Sequence, residues 1–295
     1  MFRFLLLIIF SISIISETKF YVLGTGTPNP NPERGGSSYL VLVDQTPYVF
    51  DFGSGVVRQA ASLTSTWSGE NRFKVEDIEY AFLTHMHSDH TLGLSDLIIT
   101  PWIMGRKNKL HLFGPKELDI MSKKIIEAYN FDINYRITGS QPQNPSGYMV
   151  AFTEIHDGYI FSNHHIKVEA FRNNHGDLHE SYGFVIKTED KKIVISGDTA
   201  PSKNLLKKSI GADILVHEVY SSSGFKKKTD DWKIYHKAHH TSPEELSQIA
   251  NKIKPKVLVL SHVLFWGSDS DEIINEIKDK YSGRVILPND GDLIH

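Results

Sequence analysis

Residues 84–90 read THMHSDH (Thr84–His90), which puts three histidines and an aspartate within six positions, directly after the apolar run EYAFL. If that run is a strand, His85 and His87 leave the same face, because side chains along a strand alternate with a period of two. Asp89 and His90 then follow as the chain turns into a helix. In a sequence with 15 histidines, a lone His-x-His is a weak sign of anything. The full series His85, His87, Asp89, His90 at a strand end is far more specific, and it reads as a metal-binding cluster. Two ligand pairs on one turn can face two neighbouring metals, yet four side chains cannot close a binuclear site. Further ligands have to come from elsewhere in the chain.

Upstream, residues 19–55 (KFYVLGTGTPNPNPERGGSSYLVLVDQTPYVFDFGSG) alternate β-rich runs with Gly, Pro and Asn, which predicts strands joined by turns. The GTG at 24–26 reads as a tight turn rather than a phosphate loop, since no helix follows it. Downstream, residues 91–104 begin a helix, and Leu118, Met121, Ile125 and Tyr129 recur at spacings that predict an amphipathic helix over 116–130. Residues 138–158 are rich in Gly, Pro, Ser and Asn and read as an irregular insertion. The runs IKVEAF, YGFVI, KIVIS, ADILVHEV and KVLVLSH then predict five strands. Helices are expected at 202–210 and 243–253, the second with Pro243 in its first turn. A strand-rich half followed by strands alternating with helices predicts an α/β fold with packed sheets inside and helices outside. Three ligand candidates sit where loops leave these strands: His175 in RNNHGDLHESYGF, Asp198 in VISGDTA and His262 in VLVLSHV. His179 rivals His175.

Composition bounds the rest. With 295 residues and 40% hydrophobic content the chain can bury one sizeable core, and no break in composition argues for two domains. The net charge is −3, and short lysine runs at 207–208 and 226–228 read as solvated faces, so charge gives no argument for nucleic acid. There is no cysteine, which excludes disulfides and thiolate ligands. The opening MFRFLLLIIFSISIISETKF carries one early cation, Arg3, before an apolar run over 4–15. That run is short for a bilayer span and reads as a signal peptide or N-terminal anchor over 1–17, ahead of a folded domain over 18–295. The expected location is secreted or periplasmic, with no stable membrane span after processing.

THMHSDH, SGDT, LVHEV and LSH in this order resemble the metallo-β-lactamase superfamily of binuclear metal hydrolases, over essentially the whole chain after residue 17. The resemblance implies a four-layer αββα sandwich with metals at one edge of the two sheets. It implies one metal on His85, His87 and His175, a second on Asp89, His90 and His262, and Asp198 bridging them. The spacing from His175 to Gly183 resembles the family's and favours His175 over His179. Such nitrogen and oxygen ligands suit two zinc ions and permit manganese or iron. Asp51 in VFDFGSG resembles an aspartate that orients a ligand loop from behind. His240 in KAHHTSPEEL resembles a histidine that assists proton transfer at the leaving group in the tRNA 3′-processing endonuclease and arylsulfatase-like branches. His240 and Asp89 are thus the candidate catalytic groups, and His217 and Glu218 are expected to support the site. His156, His164 and His165 match no motif and are expected at the surface.

Two dipositive metals, two carboxylates and one hydroxide sum to about +1, a charge that favours a transition state rich in negative charge. Esters of phosphate or sulfate are therefore expected over neutral substrates, with lactamase activity disfavoured. The branch with tRNA as substrate shares LGTGTP, SGDT, HEV and the His240 element. The chain departs from it at PNPERGGSS, at SHVLFWG, and in lacking a Gly-rich arm between His90 and His175. TPNPNPERGGSSYLV, TPWIMGRKNKLHLFGP and HHTSPEEL resemble the secreted arylsulfatase-like branch better. The expected function is an exported binuclear zinc hydrolase acting on a small sulfate or phosphate ester by metal-bound hydroxide. The alternatives are a tRNA 3′-processing endoribonuclease, a cyclic-nucleotide phosphodiesterase and a non-catalytic metal-binding interaction protein. A small anionic ester is the expected partner, ahead of nucleic acid, and a homodimer is compatible with the chain. Substrate choice is expected to lie in loops 139–159 and 221–237.

Overall fold

The structure, a computed structural model, describes residues 16–67 and 69–295. The export segment expected at 1–17 lies, through residue 15, outside the described residues. Among the described residues no helix is long and apolar enough to cross a membrane.

In chain order the strands are β1 (Thr18–Gly24), β2 (Ser38–Val43), β3 (Thr46–Phe52), β4 (Tyr80–Phe82), β5 (Leu110–Gly114), β6 (Val150–Glu154), β7 (Ile160–Ser162), β8 (Lys167–Arg172), β9 (Tyr182–Lys187), β10 (Lys192–Ile195), β11 (Ile214–Tyr220), β12 (Val257–Leu264), β13 (Val285–Ile286) and β14 (Leu293–Ile294). The helices are α1 (Val56–Ser62), α2 (Ser88–Thr91), α3 (Leu94–Met104), α4 (Glu117–Ala128), α5 (Asn130–Thr138), α6 (Lys203–Ser209), α7 (Ser222–Lys226), α8 (Asp230–His239), α9 (Pro243–Ile253) and α10 (Ser270–Lys278). Two seven-stranded sheets result, ordered β14-β1-β2-β3-β4-β5-β6 and β13-β12-β11-β10-β9-β8-β7. Both are mixed. In the first, β3 to β6 run parallel, and in the second, β10 to β13 do.

Local chemistry accounts for the elements. β2 and β3 join through Asp44 and Gln45, both at positive φ (47° and 71°), the two-residue turn that matches strand twist. Every residue of SYLVLV in β2 is buried, as a strand covered on both faces requires. Alternate residues face inward to the other sheet, where Phe50, Phe82 and Phe184 meet Val216 and Val259, or outward to helices. α1, α3 and α4 cover the first sheet over Phe52, Leu97 and Trp102, while α6, α9 and α10 cover the second over Leu205, Leu246 and Ile273. This is the four-layer αββα sandwich. At α9 the Ser242 hydroxyl accepts from Glu245 N–H, the Glu245 carboxylate accepts from Ser242 N–H, and Pro243 opens the helix.

Three segments depart from the sequence reading. The helix expected over 116–130 ends at Ala128, and α5 follows at once. The stretch expected to be irregular over 138–158 contains β6, which pairs with β5 and extends the sheet. The loop expected over 221–237 is mostly α7 and α8. Polar residues such as Asp230, Asp231 and Lys233 leave α8 without a plain apolar stripe in the sequence.

Candidate metal centre

β4 ends at Phe82, and the chain continues extended through His87 before α2 begins at Ser88. Asp51, at the end of β3, fixes this turn. Its fully buried carboxylate accepts from Thr84 N–H (2.8 Å), from the Thr84 hydroxyl (3.0 Å) and from His90 Nδ1 (2.8 Å). Because the Thr84 proton goes to Asp51, the hydroxyl oxygen accepts from His85 Nδ1 (2.9 Å). His85 and His90 are therefore left with Nε2 for the cluster. Asp51 adopts φ 53°, an unfavourable conformation for a side-chain-bearing residue that the three hydrogen bonds hold in place. Gly53 permits the fit behind it, since a Cβ there would come 2.2 Å from the Asp89 carbonyl oxygen.

The second sheet supplies the remaining groups from separate strand ends. His175 follows β8, and its Nδ1 donates to the carbonyl of His239, the last residue of α8 (2.9 Å). Its Nε2 then lies 3.2 Å from His87 Nδ1, which is 3.1 Å from His85 Nε2. Asp198 follows β10 and faces both halves, with Oδ2 3.9 Å from His85 Nε2 and 3.3 Å from His262 Nε2, and Oδ1 3.5 Å from His90 Nε2. His262, in β12 with φ 51°, donates from Nε2 to Asp89 Oδ2 (2.9 Å). His175 thus joins the cluster, whereas His179 is exposed beyond it.

Three sets of ligand atoms emerge, each within 4.8 Å of one another: first His85, His87, His175 and Asp198, second Asp89, His90 and His262, and a third, Asp198, His240 and His262, that shares a residue with each of the others. The first set is poised as neutral lone-pair donors. Burial, reinforced by neighbouring His90, holds His85 well below the usual imidazole range, and burial takes His175 down to about 3. The second set is anion-rich. Burial lowers His262, but Asp198 and Asp89 outweigh it and lift the ring to about 9. Burial likewise opposes a charge on His90, yet Asp89, Asp51 and Asp198 together hold it well above its ordinary value. His90 Nε2 is nonetheless buried without a hydrogen-bond partner. Orphaned ring nitrogens beside paired carboxylates are what a divalent cation satisfies, so the donor set fits one.

Beside the cluster opens a cleft of about 340 Å³, lined by the ligands His87, Asp89, Asp198 and His262 and by side chains of α8. Trp232, Tyr235, His236 and His239 lie three, four and seven positions along one face of that helix. The spacing is legible in the sequence only if histidine and tryptophan are taken together as one face. Lys228, expected on a solvated face, instead lines the cleft with its Nζ 4.3 Å over the Trp266 ring. His240 caps α8, buried, its ring stacked 5.9 Å from His262, and burial lowers it to about 4. Glu218 lies behind it. The carboxylate accepts from Thr199 N–H (3.3 Å) and Thr241 N–H (3.0 Å) and sits 3.4 Å from His240 Nδ1, without the alignment of a hydrogen bond. Burial and Asp198 keep Glu218 well above the usual carboxyl range. His217 turns its Nδ1 to the Glu218 carbonyl (2.7 Å) and lies buried beneath the site. His156 and His164 are exposed, and His165 is half-buried against Thr46.

Residues 18–264 match the family described as Anti-Pycsar protein Apyc1. The chain is 29% identical over 248 residues to the Ribonuclease Z of Mycolicibacterium gilvum (strain PYR-GCK), covering 82% of each chain. Among solved structures, the metallo-β-lactamase fold protein YhfI from Bacillus subtilis has a TM-score of 0.69 at 18% identity, covering 95% of this chain and all of that one (100%). The short form of human tRNase Z has a TM-score of 0.67 at 22% identity, covering 94% and 98%. The last two likenesses show the fold. Sequence and architecture together make the chain a member of the Anti-Pycsar protein Apyc1 family, with a metallo-β-lactamase fold.

Proposed function

We propose that the protein is a metal-dependent phosphodiester hydrolase acting on a small anionic diester, with a cyclic nucleotide as the first candidate. The observation that carries this reading is Asp198, whose carboxylate stands between both ligand sets, with Oδ2 near His85 and His262 and Oδ1 near His90. When bound, such metals lower the pKa of a coordinated water to about 7 and polarise a phosphoryl oxygen. His85, His87 and His175 would hold one, Asp89, His90 and His262 the other.

The chain's own residues do the rest. Asp89, held by His262 through Oδ2, lines the cleft and is placed to orient the attacking water. His240 faces the same cleft and is placed to protonate the leaving oxygen. Burial keeps its pKa low, and a negative charge beside it, such as that of Asp198, acts in the raising direction. A bound diester adds to that effect, so the substrate prepares its own proton donor. Glu218 holds the His240 turn against the Asp198 turn through Thr241 and Thr199.

The cleft's size favours a small substrate, since about 340 Å³ lies at the lower end for small-molecule sites. A sulfate ester, as in the arylsulfatase-like reading, has no support among the relatives. A second reading, tRNA 3′-end cleavage, is favoured by the Ribonuclease Z likeness over most of the chain. Against it, residues 91–174 are folded into α3 to α5 and β5 to β8. The test is a zinc-loaded panel of 3′,5′-cyclic nucleotides, bis(p-nitrophenyl) phosphate, p-nitrophenyl sulfate and precursor tRNA. Turnover of the two small phosphodiesters is expected. Turnover of precursor tRNA alone would replace the first reading with the second, and turnover of the sulfate alone would overturn both.

A further inference from the structure

We propose that the exposed aromatic face of α8 grips the base of a nucleotide: Trp232 stacks on a planar nucleobase and Tyr235, set at 84° to it, meets the edge of that base, while the phosphate reaches the metal ligands. The inference rests on the phosphodiesterase reading above and names the part of the substrate which that reading leaves open.

Position comes first. Trp232, Tyr235, His236 and Trp266 line the same cleft as His87, Asp89, Asp198 and His262, with Pro28 and Asn29 completing the lining. A ligand whose phosphate lies at the ligand cluster therefore has flat aromatic surface within one cavity's reach. Exposure comes next. Trp232 is 54% exposed and Tyr235 36%, while their helix neighbours His236 and His239 are buried. Large aromatic rings left half out of the core, on the rim of a polar site, mark a surface that a ligand covers.

The rings are also braced from behind. Trp232 lies nearly parallel to His236, with centroids 5.5 Å apart and planes at 21°, and His236 in turn abuts Trp266 at 4.4 Å. Tyr235 is stacked on His239 at 4.0 Å and 20°. The two rings stand at 84° to one another, 5.5 Å apart, so they form a braced corner, one wall for the face of a base and one for its edge, that costs little ordering when a base settles in it. Lys228 adds charge: its ammonium contacts the Trp266 ring at the edge of the cleft, placed to attract a phosphate. A lipid or sugar diester offers nothing for the rings to stack on. Stacking tolerates every base, so the selection is for a base and not for one base.

Binding separates this inference from turnover. The probes are uridine 5′-monophosphate and ribose 5-phosphate, titrated calorimetrically into zinc-loaded protein. The parent should bind the nucleotide at least about tenfold more tightly, the range expected for one stacked base. Trp232→Leu should bring the two affinities to within about twofold, and Trp232→Phe should keep most of the gap. Lys228→Met should weaken both probes alike. Equal affinities in the parent, or a gap that Trp232→Leu leaves intact, would overturn the inference. A gap in a protein that hydrolyses no phosphodiester would sink the enzymatic reading and leave the base grip standing.

Discussion

The two sheets furnish the site in opposite ways. From the first come His85, His87, Asp89 and His90, four groups on one turn locked by one buried carboxylate, Asp51. From the second come His175, Asp198, His240 and His262, each on a different strand end or helix cap. Their register depends on contacts among loops: Ala200 N–H to the Asn174 carbonyl (2.7 Å), the Thr241 hydroxyl to the Thr199 carbonyl (2.6 Å), and His175 to the carbonyl of His239. Local geometry sets the first half. Tertiary packing sets the second, so damage there should spread further from the substituted residue.

The largest expected effect is at Asp198, whose carboxylate reaches the ligands of both halves. Asp198→Ala should lose metal and activity together, with kcat/KM falling by at least about a thousandfold, or ~4 kcal/mol of transition-state stabilisation. Metal content by mass spectrometry alongside kinetics checks it; a variant retaining full metal and a tenth of the activity would break the joint role. His240→Ala tests the second half without its metal ligands. Turnover should fall about 10²- to 10⁴-fold with metal content unchanged, and least for a substrate whose leaving group is already acidic, such as bis(p-nitrophenyl) phosphate. An equal loss on all substrates would point to packing instead of proton transfer.

Asp51→Ala sharpens the contrast from the other side. It removes three hydrogen bonds that aim His90 and, through Thr84, His85, so metal affinity against a competing chelator should drop about 10- to 100-fold. His175 and the α8 cap should stay put, because the bond that anchors His175, from Nδ1 to the His239 carbonyl, lies wholly within the second half. Altered His175 resonances in a nuclear magnetic resonance spectrum at saturating metal would contradict the local character claimed for this half.

The same contrast explains what could be read from sequence. THMHSDH is legible because spacing along one turn is spacing in space, and α9 is legible because Ser242, Pro243 and Glu245 write a cap in four residues. His175, Asp198 and His262 needed strand ends to be aligned across a sheet, and only family resemblance drew them together. The cleft wall stayed hidden for a physical reason. Trp232 and Tyr235 act by remaining half out of the core, so α8 lacks the buried stripe that marks most helices. Likewise β6 was masked by the Gly, Pro and Asn around it, though its own VAFTE is ordinary strand sequence.

The smallest expected effect on chemistry, with a clear one on stability, lies away from both halves. Arg106 is 1% exposed, and its guanidinium donates to the carbonyls of Gly147 (3.0 Å), Ile78 (3.1 Å), Leu97 (3.0 Å) and Ile98 (2.7 Å). Burial draws its pKa down to about 10, so it remains charged at neutral pH. One fork of donors thereby joins α3, the turn that feeds β4, and the segment before β6. Lysine cannot replace it, because three donors on a single nitrogen cannot span four carbonyls set around a plane. Arg106→Met removes the cost of burying a charge but strands four acceptors, each worth about 1–3 kcal/mol when left unpaired, so a net loss of roughly 2–4 kcal/mol is expected. For a chain of this size that corresponds to a Tm lower by about 3–6 °C. Metal affinity and kcat should stay within about twofold, since Asp51 and not Arg106 sets the ligand turn. A large fall in metal affinity with Tm unchanged would mean that the first half is not locally determined.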